Sequence, residues 1–343
     1  MTEIAVVILN WNTKDQLEKF LPSVLKHSHQ EDTEIIIADN GSKDDSVEFL
    51  KEQYPEIRRI EFERNYGFTG GYNKALKQIE AKYYVLLNSD IEVTENWLVP
   101  MKETLDNNPE IAVCAPKIKS HRNKEYFEYA GAAGGFIDQY GYPFCRGRIM
   151  DKVEKDNGQY DENSDIFWAT GACMFIRADL FHQAGGLDDD FFAHMEEIDL
   201  CWRLKNMGYR IHYVADSTIY HVGGGTLPNE SPFKLYLNYR NNLYLLYKNL
   251  PDKKFFSILI TRILLDIISS VMFFLKGKWN FTRSVIKAHW TFFRNLKSLK
   301  RKRRKIDTAQ LKLHDEIYRN SIVFEYFIRK KSEFINLQFS KKT

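Results

Sequence analysis

The chain has 343 residues, of which 44% are hydrophobic and 28% charged, enough for a sizeable buried core and too apolar for global disorder. Its net charge of +3 hides an asymmetry: residues 276–343 hold 19 Lys and Arg against 5 Asp and Glu, and residues 1–275 hold 30 against 41. An acidic body argues against general nucleic-acid binding, and a basic tail suits an anionic partner.

Residues 4–9 form a continuous apolar run of strand length. Residues 14–26 carry Leu17, Phe20, Leu21, Val24 and Leu25 at helical spacing. A second strand at 34–38 ends at Asp39, and Ser42, Asp44 and Asp45 offer capping oxygens to a helix reaching residue 52. A third strand is expected at 58–62, a helix entered through glycines at 70–80 and a fourth strand at 83–87. This alternation predicts a parallel sheet with right-handed crossovers. Ligands on such sheets bind beyond the carboxyl ends of the strands. Asn10, Asp39, Asn65 and Asp90 each follow a predicted strand end, so one edge is expected to gather all four.

Residues 110–180 read as loops and short antiparallel strands. A helix is expected at 191–207 and a strand at 210–214, followed by a flexible or sharply turning Gly223-Gly224-Gly225. Residues 236–247 form an aromatic helix. The apolar run at 255–275 is long enough to span a bilayer. Arg262, Asp266 and Ser269 share one face of it, which favours lying in a membrane interface or packing on the body over spanning. Residues 276–305 hold 12 basic and no acidic side chains, interleaved with Trp279, Phe281, Trp290, Phe292 and Phe293, a pattern suited to an anionic membrane surface. The four cysteines have no zinc-ligand or redox spacing and read as reduced thiols in the cytosol. The run at 4–9 has no basic segment before it and is not read as a signal peptide.

Six segments in order resemble family 2 glycosyltransferases, inverting enzymes of the GT-A fold, and within them the rhamnosyltransferase-like branch. They are Asn10-Trp11-Asn12, Asp39-Asn40-Gly41-Ser42, residues 64–73, Leu87-Asn88-Ser89-Asp90, residues 191–203 and His221-Val222-Gly223-Gly224. The resemblance covers roughly residues 3–250. It implies a Rossmann-like mixed α/β sheet flanked by helices, with a nucleotide-binding half over 1–100 and an acceptor-binding half over 101–250, to which the charge and apolar pattern adds a basic amphipathic helical extension over 251–343. It also implies a cytoplasmic protein held peripherally on the inner face of the cell membrane. The partners would be a nucleotide sugar, best dTDP-L-rhamnose with other UDP- or GDP-sugars behind it, and a cell-surface or lipid-linked glycan acceptor.

For individual residues, the resemblance implies that Asn10, Trp11, Asn12, Asp39, Asn65, Gly67, Gly70, Asn88, Ser89 and Asp90 contact the nucleotide sugar. Asp39 contacts the base, although a turn-forming Asp is its ordinary alternative. Glycines in the 65–73 loop let backbone approach phosphate closely. Asn88-Ser89-Asp90 stands where the family has Asp-x-Asp, so Asp90 is left as the carboxylate ligand for Mn²⁺ or Mg²⁺. His221 is the second protein ligand, and an imidazole favours Mn²⁺. Glu197 stands at the position of the base that deprotonates the acceptor, where the family usually has Asp. Glu196 is the alternative base, and Asp199 is a third carboxylate of the cluster, spaced to pair with Arg203. Trp168 and Gly171 fall in an acceptor-side segment, where Trp168 reads either as a ring stacked on a sugar or, nearly as readily, as a core residue, and the 239–242 segment matches without an evident role. A sugar-nucleotide nucleotidyltransferase is disfavoured because Asn10-Trp11-Asn12-Thr13 replaces a Gly-rich, Arg/Lys-bearing loop. A non-catalytic membrane-associated scaffold is the remaining rival.

Overall fold

The computed structural model describes residues 2–28, 32–223, 231–306, 311 and 313–339. Gly224 and Gly225 of the glycine run lie outside the described residues. The chain opens as β1 (Thr2–Asn10), α1 (Lys14–His27), β2 (Thr33–Asp39), α2 (Ser46–Gln53), β3 (Arg58–Glu61), α3 (Gly67–Leu76) and β4 (Ala81–Leu87). β1 lies between β2 and β4 and pairs with both in parallel, and β3 adds in parallel to β2. The middle of β1 is apolar on both faces because both faces are covered. Val6, Ile8 and Leu87 pack with Leu17 and Leu21 of α1, while Ala5, Val7 and Leu86 pack with Tyr72 and Leu76 of α3. The period-two alternation of the strands thus feeds two cores, one on each side of the sheet.

The sheet continues through β5 (Ile91–Val93), α4 (Val99–Asn107) and β6 (Ile111–Ser120). A smaller sheet holds β7 (Gly135–Asp138), β8 (Pro143–Cys145), β9 (Arg148–Ile149) and β10 (Lys152–Val153). The chain then returns to the main sheet with β11 (Ser164–Ile166) and β12 (Cys173–Arg177), followed by α5 (Ala178–Gln183), α6 (Glu196–Asn206) and β13 (Arg210–His221). β12 runs antiparallel to β4 and β6, so the sheet is mixed. β13 outruns the expected strand: it pairs in parallel with β6 as far as His221 and, from Ile219 to His221, also antiparallel with β5. Residues 191–195, expected to be helical, are not. Phe192, His194 and Met195 have φ of 66–72°, a left-handed run that delivers the chain to the first turn of α6.

Four helices follow: α7 (Pro232–Asn249), α8 (Asp252–Leu275), α9 (Trp279–Arg294) and α10 (Leu296–Arg303). Arg262 and Asp266 of α8 are buried against the body, whereas its opposite face is exposed. The region expected as a helical extension then rejoins the body. β14 (Ile317–Tyr318) pairs with β7 in the smaller sheet, ahead of α11 (Ile322–Phe327).

Candidate functional site

The parallel register sets the first wall of the site. Asn10 faces Asp39 across β1 and β2, so both strand ends reach the same edge. Asn10 Nδ2 donates to Asp39 Oδ1 at 2.8 Å, and Thr13 Oγ1 donates to Asn10 Oδ1 at 2.5 Å. Asp39 Oδ2 accepts the Ser42 amide at 2.9 Å. Asn12, at φ 52°, accepts the Lys43 amide at 2.7 Å. Asn40 clamps the next loop: its Nδ2 donates to Asn65 Oδ1 at 3.1 Å and to the Gly67 carbonyl at 3.0 Å. Gly67 has φ +75°, and a Cβ there would lie 2.7 Å from the Phe192 ring, so this position needs glycine twice over.

The second wall comes from β4, β5 and β13. Pairing of His221 with Ile91 brings the imidazole beside Asp90: His221 Nε2 is 3.2 Å from Asp90 Oδ1. On the other ring nitrogen, Nδ1 lies 3.4 Å from Glu128 Oε2. All three residues are under 8% exposed. Burial opposes charge on His221, but the two carboxylates outweigh it and raise the imidazole to about 10. Burial likewise pushes the Asp90 carboxyl up, and the His221 contact more than offsets it, leaving Asp90 below the usual carboxylate range.

The third wall is the start of α6. Glu196 is buried, and Oε2 of both Glu196 and Glu197 is buried with no hydrogen-bond partner among the described residues. Burial, reinforced by the Glu197 charge, raises Glu196 well above its ordinary range. Burial raises Glu197 to about 7. The left-handed run that presents them is held from α7. Asn241 Nδ2 donates to the carbonyls of Phe191, Ala193 and His194 at 3.0, 2.8 and 2.7 Å, and the Arg240 guanidinium donates to Phe191 O at 2.8 Å. This gives the 239–242 segment a role that its sequence alone left open.

These walls enclose a cavity of about 430 Å³. Trp11, Asn65, Gly67, Asn88, Ser89, Asp90, Gly171, Glu196, Glu197 and His221 line it. Others named from the sequence stand elsewhere. Asn10 is fully buried, and together with Asn12 it braces the rim without lining the cavity. Asp39 lines a separate groove with Gly41, Ser42 and Lys43. Gly70 sits inside α3 against Tyr66. Trp168 departs from the acceptor-side expectation, and Asp199 keeps the pairing with Arg203 expected of it but stands apart from the carboxylates of Glu196 and Glu197. Trp168 is a core residue, 4% exposed, stacked on the backbone of Gly135 with its indole N–H on Phe136 O at 2.9 Å, so no ring face is offered to a sugar. Asp199 is fully buried in the first turn of α6. There it accepts from Arg203 Nε at 2.8 Å, Lys248 Nζ at 2.8 Å and Asn249 Nδ2 at 2.9 Å. It is an anchor for the helix and does not line the cavity. Sequence reasoning missed Glu128, Phe192, His194, Phe233 and Lys234 at or beside the cavity. Glu128 carried no motif, and the ring contact of Phe192 with Phe233, 6.4 Å between centroids, joins segments far apart in the chain.

Among the described residues no group of three or more His, Cys, Asp or Glu forms a ready-made cation cage. The donor set at Asp90 and His221, one carboxylate oxygen and one imidazole nitrogen, nonetheless fits a divalent cation of the Mn²⁺ or Mg²⁺ kind that takes its remaining ligands from substrate phosphates and water.

A mixed sheet with a parallel nucleotide-type half, its polar rim facing a carboxylate pair across one cavity, is the GT-A fold. The solved structure of GalNAc-T7 with UDP, GalNAc and Mn²⁺ aligns with 74% of this chain at a TM-score of 0.56 and 16% identity, and this chain spans 48% of it. The mannosyltransferase PcManGT from Pyrobaculum calidifontis, solved with GDP-Man and Mn²⁺, aligns over 85% of this chain and 87% of its own, with a TM-score of 0.51 and 12% identity. A family model for glycosyl transferase family 2 matches residues 5–185, and the chain belongs to that family. Among curated relatives, N-acetylglucosaminyl-diphospho-decaprenol L-rhamnosyltransferase of Mycobacterium tuberculosis is 22% identical over 64% of this chain and 76% of its own length. Rhamnosyltransferase WbbL of Escherichia coli is 26% identical over 62% of this chain and 80% of its own.

Proposed function

We propose that the protein is an inverting transferase that moves a sugar, best L-rhamnose from dTDP-L-rhamnose, onto a hydroxyl of a cell-surface or lipid-linked glycan at the cytoplasmic face of the membrane. The observation that carries this reading is the pairing, across one cavity, of the Asp90–His221 wall with Glu196 and Glu197, each of which has one buried carboxylate oxygen, Oε2, without a hydrogen-bond partner among the described residues. Support for the sugar comes from the names of the two bacterial relatives.

In this reading Asp90 and His221 hold the cation. When bound, it offsets negative charge on the diphosphate as the sugar leaves. The 65–67 loop and Trp11 line the donor side of the cavity. The acceptor oxygen attacks the anomeric carbon as the bond from that carbon to the phosphate oxygen breaks. The acceptor proton passes to the Glu197 carboxylate, and the nucleoside diphosphate departs. One displacement inverts the anomeric centre, and no covalent enzyme intermediate forms. Burial and the Glu197 charge favour the neutral form of Glu196, which limits the negative charge in the site.

The test is a panel of nucleotide sugars with Mn²⁺, comparing wild type with Asp90→Ala. Turnover of one donor is expected in the wild type, with a loss of about 10²-fold or more in Asp90→Ala. Wild-type turnover in Asp90→Ala would remove the cation from Asp90, and a requirement for nucleoside triphosphate plus sugar phosphate would make the protein a nucleotidyltransferase. A second expected result concerns Glu128, whose carboxylate oxygen stands 3.4 Å from His221 Nδ1, on the side of the ring opposite the Nε2 that would ligate, and so is placed to orient it. Glu128→Gln should weaken Mn²⁺ binding about 10–100-fold by calorimetry in the presence of nucleoside diphosphate.

A further inference from the structure

The α8–α9 hairpin has two faces of opposite character. Inward, Arg262 Nε donates to Asp266 Oδ1 at 2.8 Å, His289 Nε2 stands 3.1 Å from Asp266 Oδ2, and the guanidinium lies 4.0 Å over the Tyr142 ring. Outward, Phe256, Ile260, Leu264, Ile268, Val271 and Leu275 recur at helical spacing, each 51–77% exposed. On α9, Trp279, Ile286, Trp290 and Phe293 are 53–60% exposed. The Phe274 and Trp279 rings touch at the hairpin tip, 4.4 Å between centroids, so the two stripes meet. Contiguous exposed apolar surface of this kind marks an interaction site. Its surroundings are basic: Lys253, Lys254, Lys276, Lys278, Lys287 and Arg294 are all exposed.

We propose that this face seats in the plane of an anionic lipid monolayer, with the apolar stripe among the acyl chains and the lysines at the headgroups. Charge selects this occupant. A two-fold pair of copies would bring basic rim against basic rim, whereas acidic headgroups complement it. The buried triad selects the orientation. α8 is long and apolar enough to cross a membrane. Turning it upright, however, would strip Arg262 and Asp266 from Tyr142 and His289 and carry the pair into hydrocarbon. The seat also reaches the cavity. Ser284 Oγ of α9 donates to Pro232 O at 2.8 Å, fixing the first turn of α7, whose Phe233 forms with Phe192 a half-exposed aromatic rim of the cavity. The hairpin therefore brings that rim to the lipid surface, where an acceptor with a lipid anchor is presented. This last step rests on the proposed function, and the docking does not.

The experiment is flotation of the full chain with vesicles of phosphatidylcholine alone or with about one-third phosphatidylglycerol. Binding about tenfold or more tighter to the anionic vesicles is expected, weakening with salt, with a blue shift of the Trp279 and Trp290 emission. Alkaline carbonate should release the bound protein. Ile268→Glu with Trp290→Glu should reduce binding by about tenfold or more while circular dichroism and turnover of a water-soluble acceptor are kept. Equal or absent binding to both vesicles, retention in carbonate, or a solution dimer that the double variant dissolves would each overturn the proposal. Flotation reads lipid and not sugar, so a silent donor panel leaves this result standing, and failed flotation leaves the donor panel standing.

Discussion

Glu197→Gln is expected to lower kcat by about 10²–10⁴-fold while donor affinity, measured by calorimetry with the nucleoside diphosphate, is unchanged. The amide keeps the shape of the side chain and loses only the ability to take a proton. Glu196→Gln is expected to keep most of the activity, because burial and the Glu197 charge already favour the neutral form of that carboxyl. If Glu196→Gln were the inactive variant, the base would be Glu196. The pH profile gives a second readout. A base works ionised, so kcat/KM of the wild type should rise with pH through about 7, the value to which burial lifts Glu197, and then level off. Stability should run the other way. A carboxyl raised from an ordinary 4.5 to about 7 favours the fold most when it is neutral, so its contribution is complete below 4.5 and lost as pH rises through 7. At pH above 7, Glu197→Gln should therefore be inactive yet melt higher than wild type. A variant that is inactive and melts lower would have lost its fold and not its base.

What the sequence could show and what it could not divide along physical lines. The β1–β4 half was legible because a strand covered on both faces must be apolar throughout, and its helices carry the 3.6-residue spacing; the polar residues after each strand end then fall on one edge by topology. Glu128 was illegible because its position depends on the pairing of β13 with β5 and on a loop between strands, which no local pattern encodes. The 191–195 segment was misread as helix because aromatic and charged residues fit helical spacing. What bends it are three hydrogen bonds from Asn241, about fifty residues away. Trp168 was ambiguous because a ring that stacks on sugar and a ring that fills a core are chemically alike. Only the close approach of Gly135 tells them apart. For α8, the i,i+4 pair Arg262–Asp266 marked the polar face in the sequence, and the structure supplied its partners, Tyr142 and His289.

Lys248→Met is expected to cost about 3–5 kcal/mol, because it leaves buried carboxylates without their counter-charge. Lys248 is 3% exposed and donates to Asp199 at 2.8 and 2.9 Å and also to Asp188, which Lys302 of α10 shares. Burial raises the Asp199 carboxyl, yet Lys248 and Arg203 more than offset it and hold it below the usual range. The network ties α7 and α10 to residue 188 and to the first turns of α6, two residues after Glu197. Its loss should therefore lower kcat more than it raises KM, since the base would shift relative to an intact donor wall. Thermal melting of wild type, Lys248→Met, Asp199→Asn and the double variant closes a cycle. The double variant should melt above Lys248→Met, because removing the orphaned charge relieves part of the penalty. Equal melting of all four would mean that the ion network does not hold α6, and the position of Glu196 and Glu197 would then rest on Asn241 and Arg240.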